Sequence, residues 1–300
     1  MPEERTVLDR PDPVRLVASL TVGMLSVSCG AIFIRLASAP ALTAAAYRVL
    51  WGTLLFAPAL ALGPARELSA NTRRDWLQLV LSGTALALHF ALWIASLSYT
   101  TVASSVLLVD TSPFFIGLAS QSFLNKPCHR HFWMGLAVAF FGCLVIFHGD
   151  WSQSQNSIKG NALALGGAIA FAVYLLVGAQ ARQKLSLVAY VWPVYGAAAV
   201  FLVAVCLLSQ TPLRGFSPST YLFLFLLGLI PQCIGHTTYN WSLRWLSPAL
   251  VALIGLTEPI GASVLAFFIL HENLTVLKLI GGGIILLGIY WATRPQADKK

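Results

Sequence analysis

Apolar runs follow one another along nearly the whole chain, separated by short polar breaks. A stretch of ~20 mainly apolar residues is what crosses ~30 Å of hydrocarbon. Reading for such stretches gives ten, at roughly 16–37, 41–63, 76–98, 101–123, 131–149, 159–181, 187–208, 219–240, 247–270 and 275–293. Only 10% of the 300 residues are charged and 57% are hydrophobic, whereas a soluble domain carries about 25% charged residues. An ordinary soluble core is therefore excluded. Without water to satisfy the backbone, each run is predicted to be helical. The runs lack the period-2 alternation of a closed β-barrel. Connectors such as "SAPA" and "SYTT" force antiparallel hairpins between neighbours. The expected fold class is an all-α membrane protein with ten transmembrane helices.

Charge sets the expected orientation. With the N-terminus inside, fourteen Lys and Arg fall on cytoplasmic segments. Only Lys159, Arg214 and Lys278 fall outside, while Arg35 and Arg48 lie within spans. That is the positive-inside pattern, so a multi-pass inner-membrane protein with both termini cytoplasmic is expected. The net charge of +8 has the same origin, and no nucleic-acid partner is expected. "MPEERTVLDRPDPVR" mixes acids with bases and reads as a cytoplasmic tail, not a signal peptide. The five cysteines show no CxxC or metal spacing, so neither a disulfide framework nor a metal or other cofactor is expected.

Sliding the chain by 146 residues aligns "SLSYTTVASSVLLVDTSPFF", from Ser96, with "SLRWLSPALVALIGLTEPIG", from Ser242. Without a gap, Thr111 meets Thr257, Pro113 meets Pro259, Gly135 meets Gly281 and Gly142 meets Gly288. The expected organisation is a tail (1–15), a first five-helix repeat (16–149), an outward loop (150–158), a second repeat (159–293) and a tail (294–300). An odd number of spans per copy makes the second copy enter the membrane in the opposite direction. Such an inverted repeat supplies two related packings for alternating access.

"YRVLWGTLLFAPAL", "SLSYTTVASSVLLVDTSPFF" and "YNWSLRWLSPALVALIGLTEPIGASVLAFFILHENLTVLKLIGGGIILLGI" resemble the drug/metabolite transporter superfamily, EamA-type. The resemblance runs from about Arg15 to Arg294. It implies ten helices in two inverted repeats and export of small metabolites, amino acids being a frequent class. It also implies a cavity ringed by spans three, four, eight and nine with one and six. Arg48 matches the family's second-helix arginine. Lys126 stands where the family often has an acidic residue.

Charges inside a bilayer need a reason, because burying one costs from a few to over ten kcal/mol. Arg48 and Asp110 fall at similar depths from the outer side, so they are expected to face each other or share a polar cavity. They either fix helix packing as a buried pair or contact a zwitterionic substrate. Glu258 lies about eleven residues in from the cytoplasmic side with no evident cation at its depth. It suits proton coupling or a substrate ammonium, or else a rigid hydrogen bond to a carbonyl that Pro259 leaves unpaired. Pro113 is the repeat partner of Pro259, and both are expected bends or hinges. His89 and His236 lie inside spans, either as interhelical hydrogen bonders or as proton handlers.

His89 and Trp93 share a face by i, i+4 spacing, and Tyr239 aligns with Trp93 in the repeat. Tyr174 and Trp192, inside spans, and Tyr99, just past the third, complete the candidates. Trp51, Trp76, Trp133, Trp151, Trp241, Trp245 and Trp291 read as interfacial anchors. The expected function is a secondary transporter exporting small metabolites, most readily amino acids of aromatic or apolar type. Its expected partners are the bilayer, the substrate and a coupling proton, and it acts as a monomer or homodimer. A membrane-embedded enzyme acting on lipid, or a facilitative channel, is the alternative.

Overall fold

The computed structural model describes residues 11–100, 102–122, 128–148, 158–270 and 274–294. Every element in them is helical: α1 (Pro13–Ala37), α2 (Ala41–Ala61), α3 (Ala65–Ser69), α4 (Arg73–Ser96), α5 (Val102–Val109), α6 (Ser112–Ser122), α7 (Arg130–His148), α8 (Ile158–Ala181), α9 (Leu187–Leu208), α10 (Pro218–Leu227), a π-helical segment (Gly228–His236), α11 (Thr237–Ser242), α12 (Pro248–Gly255), α13 (Glu258–Leu270) and α14 (Val276–Ala292). Eight rods are long and apolar enough to cross a membrane, with α10 through α11 and α12 through α13 each counting as one. α14 is a shorter apolar helix of 17 residues. Lys126, Trp151 and most of the expected 150–158 loop and of both tails lie outside the described residues.

Helix starts follow from local chemistry. Thr72 and Asp75 form a reciprocal capping box at α4, and Ser186, Ser217, Ser247 and Thr275 each accept from the backbone N–H three residues on. Such caps satisfy N–H groups that have no partner inside the helix. α1 begins at Pro13, three residues before the expected span. Proline in a first turn gives up only an N–H that would be unpaired anyway.

The 146-residue offset reappears in the fold. α2 and α9 start 146 residues apart, at Ala41 and Leu187, as do α5 and α12, at Val102 and Pro248, and α6 and α13, at Ser112 and Glu258. Two pairs of equivalent helices pack on each other, α2 on α9 and α7 on α14. α7 and α14 run antiparallel in very close contact. A Cβ on Gly135 would lie 2.4 Å from the Gly288 carbonyl oxygen, and one on Gly142 would lie 2.7 Å from that of Gly281. Only glycine permits this approach.

The helices that carry Pro113 and Pro259 both break shortly before the prolines. The first break falls at Asp110–Thr111 and the second at Leu256–Thr257, so Pro113 and Pro259 sit in the first turn of α6 and α13. In both repeats the threonine side chain turns back: Thr111 Oγ1 donates to the Leu108 carbonyl (2.6 Å) and Thr257 Oγ1 to that of Ile254 (2.9 Å). The sequence reading of span eight as a plain helix needs correction. Pro231 lies inside it and has no N–H for the usual bond four residues back. The turn widens into a π-helical segment, a form that recurs at functional sites.

Candidate functional site

Residues of the two breaks, α4, α8 and the π-helical segment line a small central cavity. Arg48 from α2, His89 and Trp93 from α4, Asp110 at the first break, His236 and Tyr239 after Pro231, and Glu258 at the second break all line it. Its volume is about 40 Å³; a water needs roughly 10–15 Å³, so it admits a few waters and no organic molecule. Glu258 thus shares a cavity with Arg48, which corrects the expectation that it has no cation at its depth.

Arg48 is 1% exposed. Its Nε donates to Gln232 Oε1 at 2.9 Å, and its guanidinium lies 4.2 Å over the ring of Phe90. Its Nη2 is buried with no hydrogen-bond partner, as is Asp110 Oδ2. A buried charged group with unused hydrogen-bonding capacity is expensive. Trp93 Nε1, Gln232 Nε2 and His236 Nδ1 are likewise buried without a hydrogen-bond partner, so the centre of the bundle keeps unused donors beside the Asp110 acceptor.

His89 stacks on Trp93, with centroids 6.0 Å apart and planes 9° from parallel. Its Nδ1 lies 3.0 Å from the Gly167 carbonyl. A carbonyl only accepts, so Nδ1 carries the hydrogen and Nε2 is left for other chemistry. His236 lies 5.1 Å from Phe90, its repeat equivalent, and 5.5 Å from Tyr239. Phe171 from α8 closes the aromatic wall at 4.8 Å from His89.

A one-directional hydrogen-bond chain braces the π-helical segment. Tyr174 donates to Asn240 (2.7 Å), Asn240 to Tyr195 (3.1 Å), and Thr237 to the Gln232 carbonyl (3.2 Å), while the Tyr195 and Thr237 hydroxyls lie 3.0 Å apart. Buried Arg182 closes this side by donating to the Asn240 carbonyl (2.9 Å). Its backbone lies in the turn after α8, and its side chain is buried.

Three sequence candidates do not line the cavity. Tyr174 supports it through Asn240. Trp192 is partly buried elsewhere on α9. Tyr99 sits at one end of the bundle, 44% exposed, with Lys159 Nζ 3.9 Å over its ring. Next to it Thr100 Oγ1 donates to Asn161 Oδ1 at 3.1 Å. Trp51 also departs from its expected anchoring role, because it packs edge-on to Phe225 at 5.1 Å with Nε1 buried. Sequence reasoning alone does not single out Gln232, Asn240 or Phe171. A polar amide inside an apolar span was the available signal for the first two, and a lone phenylalanine in such a span carries none.

At the opposite end of α8 a second, larger cavity opens, of about 790 Å³. Gln183, Trp245, Arg244, Arg294, His129 and His131 are among its walls. The ends of the bundle differ accordingly. α5 packs along α8 at the Tyr99 end, whereas its equivalent α12 has no comparable packing against α1.

Membrane-length helices around converging buried charges define a polytopic membrane transporter. The chain belongs to the EamA-like transporter family, whose model matches residues 16–148 and again 158–294. It is 27% identical to the uncharacterized transporter YwfM of Bacillus subtilis over 84% of each chain. It is 25% identical to an uncharacterized transporter of Archaeoglobus fulgidus over 77% of this chain and 81% of that one. A thiamine-repressible mitochondrial transport protein of Saccharomyces cerevisiae is 32% identical over 59% of this chain and 51% of its own. One solved crystal structure superposes with a TM-score of 0.79 at 17% identity, covering 94% of this chain and 97% of the other, which shows the shared fold.

Proposed function

We propose that the chain is a secondary transporter exporting a small organic metabolite, an amino acid or close relative, across the inner membrane by alternating access. The observation that carries this reading is the central cavity lined together by Arg48, Asp110 and Glu258, with Arg48 Nη2 and Asp110 Oδ2 buried and unpartnered. A guanidinium suits a substrate carboxylate, and the two carboxylates suit its ammonium or a coupling proton. His89, Trp93, Phe171 and Tyr239 suit an apolar or aromatic side chain.

Ten spans in two inverted five-helix repeats, divided near 150–158, fit this reading. The support is the antiparallel packing of α7 on α14, since equivalent helices that run oppositely enter a bilayer from opposite sides. The Lys and Arg distribution supports cytoplasmic termini. On that orientation the Tyr99 end faces outward and is closed, while the larger cavity opens to the cytoplasm.

Counterflow in proteoliposomes with a panel of labelled amino acids tests the proposal. Accumulation of label against an unlabelled internal pool is the expected result, and flux without counterflow would indicate a channel.

A further inference from the structure

The larger cavity lies between the ends of α6, α8 and α14, the start of α7 and the α11–α12 turn. Two arginines and two histidines line it, and no carboxylate does among the described residues. Two of the described acids at this end are engaged elsewhere. Asp75 caps α4 and pairs with Lys184 at 2.8 Å, and Glu67 accepts from the Ser186 N–H at 2.7 Å.

Hydrogen-bonding capacity remains within this positive region. Arg294 spends one nitrogen on the Tyr290 hydroxyl (3.2 Å), out of five N–H donors on a guanidinium. The Trp245 indole Nε1, which can only donate, is buried without a partner, and so is His131 Nδ1. Below them the cavity turns apolar, with Phe132 and Leu250 among its walls. α8 and α12 line both cavities. Leu176 and Leu250 belong to the larger one, Phe171 and Ala252 to the central one. Five residues of helix, ~7.5 Å at ~1.5 Å each, separate them along α8.

We propose that this cavity is an anion-binding vestibule that takes the carboxylate or phosphate of a small molecule through Arg244, Arg294 and the Trp245 indole N–H. Guanidinium groups hold such anions by paired, charge-assisted hydrogen bonds. A cleft walled by apolar side chains and lined by one sign of charge concentrates its counter-ion. The plain alternative is that these cations only mark a membrane side, which predicts no anion selectivity. The vestibule's place on a substrate path rests on the transporter reading; anion binding itself does not. The same chemistry is offered by a soluble anion and by an anionic lipid headgroup, and the test separates them.

Thermal unfolding of the full-length protein in a neutral detergent is followed with inorganic phosphate against sodium chloride of equal ionic strength. A parallel series adds phosphatidylglycerol or phosphatidylcholine. Saturating phosphate is expected to raise the midpoint by about 2–4 °C, with the rise lost in the Arg244→Gln/Arg294→Gln variant and retained in part when both are Lys. A rise with phosphatidylglycerol alone, lost in the same variant, upholds the site with lipid as its source. An equal phosphate effect in wild type and the Gln variant, or no anion-specific effect, overturns the proposal. Should the Gln variant fail to fold, the wild type decides: high chloride must abolish the phosphate effect. Because no transport is measured, a failed counterflow assay leaves this result standing, and the reverse holds too.

Discussion

Thr111 and Thr257 stand 146 positions apart and make the same bond. Each hydroxyl donates to the carbonyl three residues back, Leu108 at 2.6 Å and Ile254 at 2.9 Å, at the break of its own helix. The breaks are therefore built features with their own hydrogen bonds, and they bring Asp110 and Glu258 to one cavity.

Replacing either threonine by valine keeps the shape and removes the donor. A net hydrogen bond contributes about 0.5–1.5 kcal/mol, so each variant is expected to lose about that much, and the double variant about twice it. Denaturant unfolding in detergent reads the loss, and unchanged midpoints would show that the carbonyls do not need these hydroxyls.

Glu258→Gln preserves volume and abolishes titration. With Glu258 as the coupling group, exchange rates that vary with pH in the wild type become flat in the variant. A variant that keeps the wild-type pH profile would remove Glu258 from that role and leave Asp110→Asn as the next substitution to measure.

Arg48 combines an Nε bond to Gln232 with a stack on Phe90. Lysine keeps the charge but cannot make both contacts. Arg48→Lys is expected to raise the counterflow KM about tenfold, near 1.4 kcal/mol, with a smaller change in maximal rate. A KM within twofold of wild type would make Arg48 a packing residue.

The glycine contacts separate close approach from helix propensity. Gly135→Ala places a methyl against the Gly288 carbonyl and is expected to destabilise by about 1–3 kcal/mol. Gly283 has nothing within 4 Å of an added Cβ, so Gly283→Ala should stabilise by about 0.5–1 kcal/mol. Melting curves of the two variants should move in opposite directions.

The Tyr99 end supplies a lock. Thr100→Cys/Asn161→Cys, in a background without other cysteines, puts two thiols where a 3.1 Å hydrogen bond now closes the bundle. Oxidation is expected to stop counterflow and reductant to restore it. Full exchange through the oxidised protein would mean that this end need not open.

Helix class, the 146-residue offset and the positions of the two helix breaks were legible in the amino-acid sequence because they follow from one-dimensional quantities. These are the length of an apolar run, the missing N–H of proline and the spacing of Thr, Pro and Gly. Arg48, Asp110 and Glu258 stood out for the same reason, as charges where charge is costly. What they do together was decided by the tertiary structure alone. Glu258, at the start of α13, and Arg48, on α2, line one cavity; the widened turn at Pro231 carries Gln232 and His236 in the interior; and Tyr99 and Trp245, equivalent by sequence, meet different neighbours at opposite ends. Contacts between distant segments depend on how helices cross, and the sequence carries no period from which that crossing can be read.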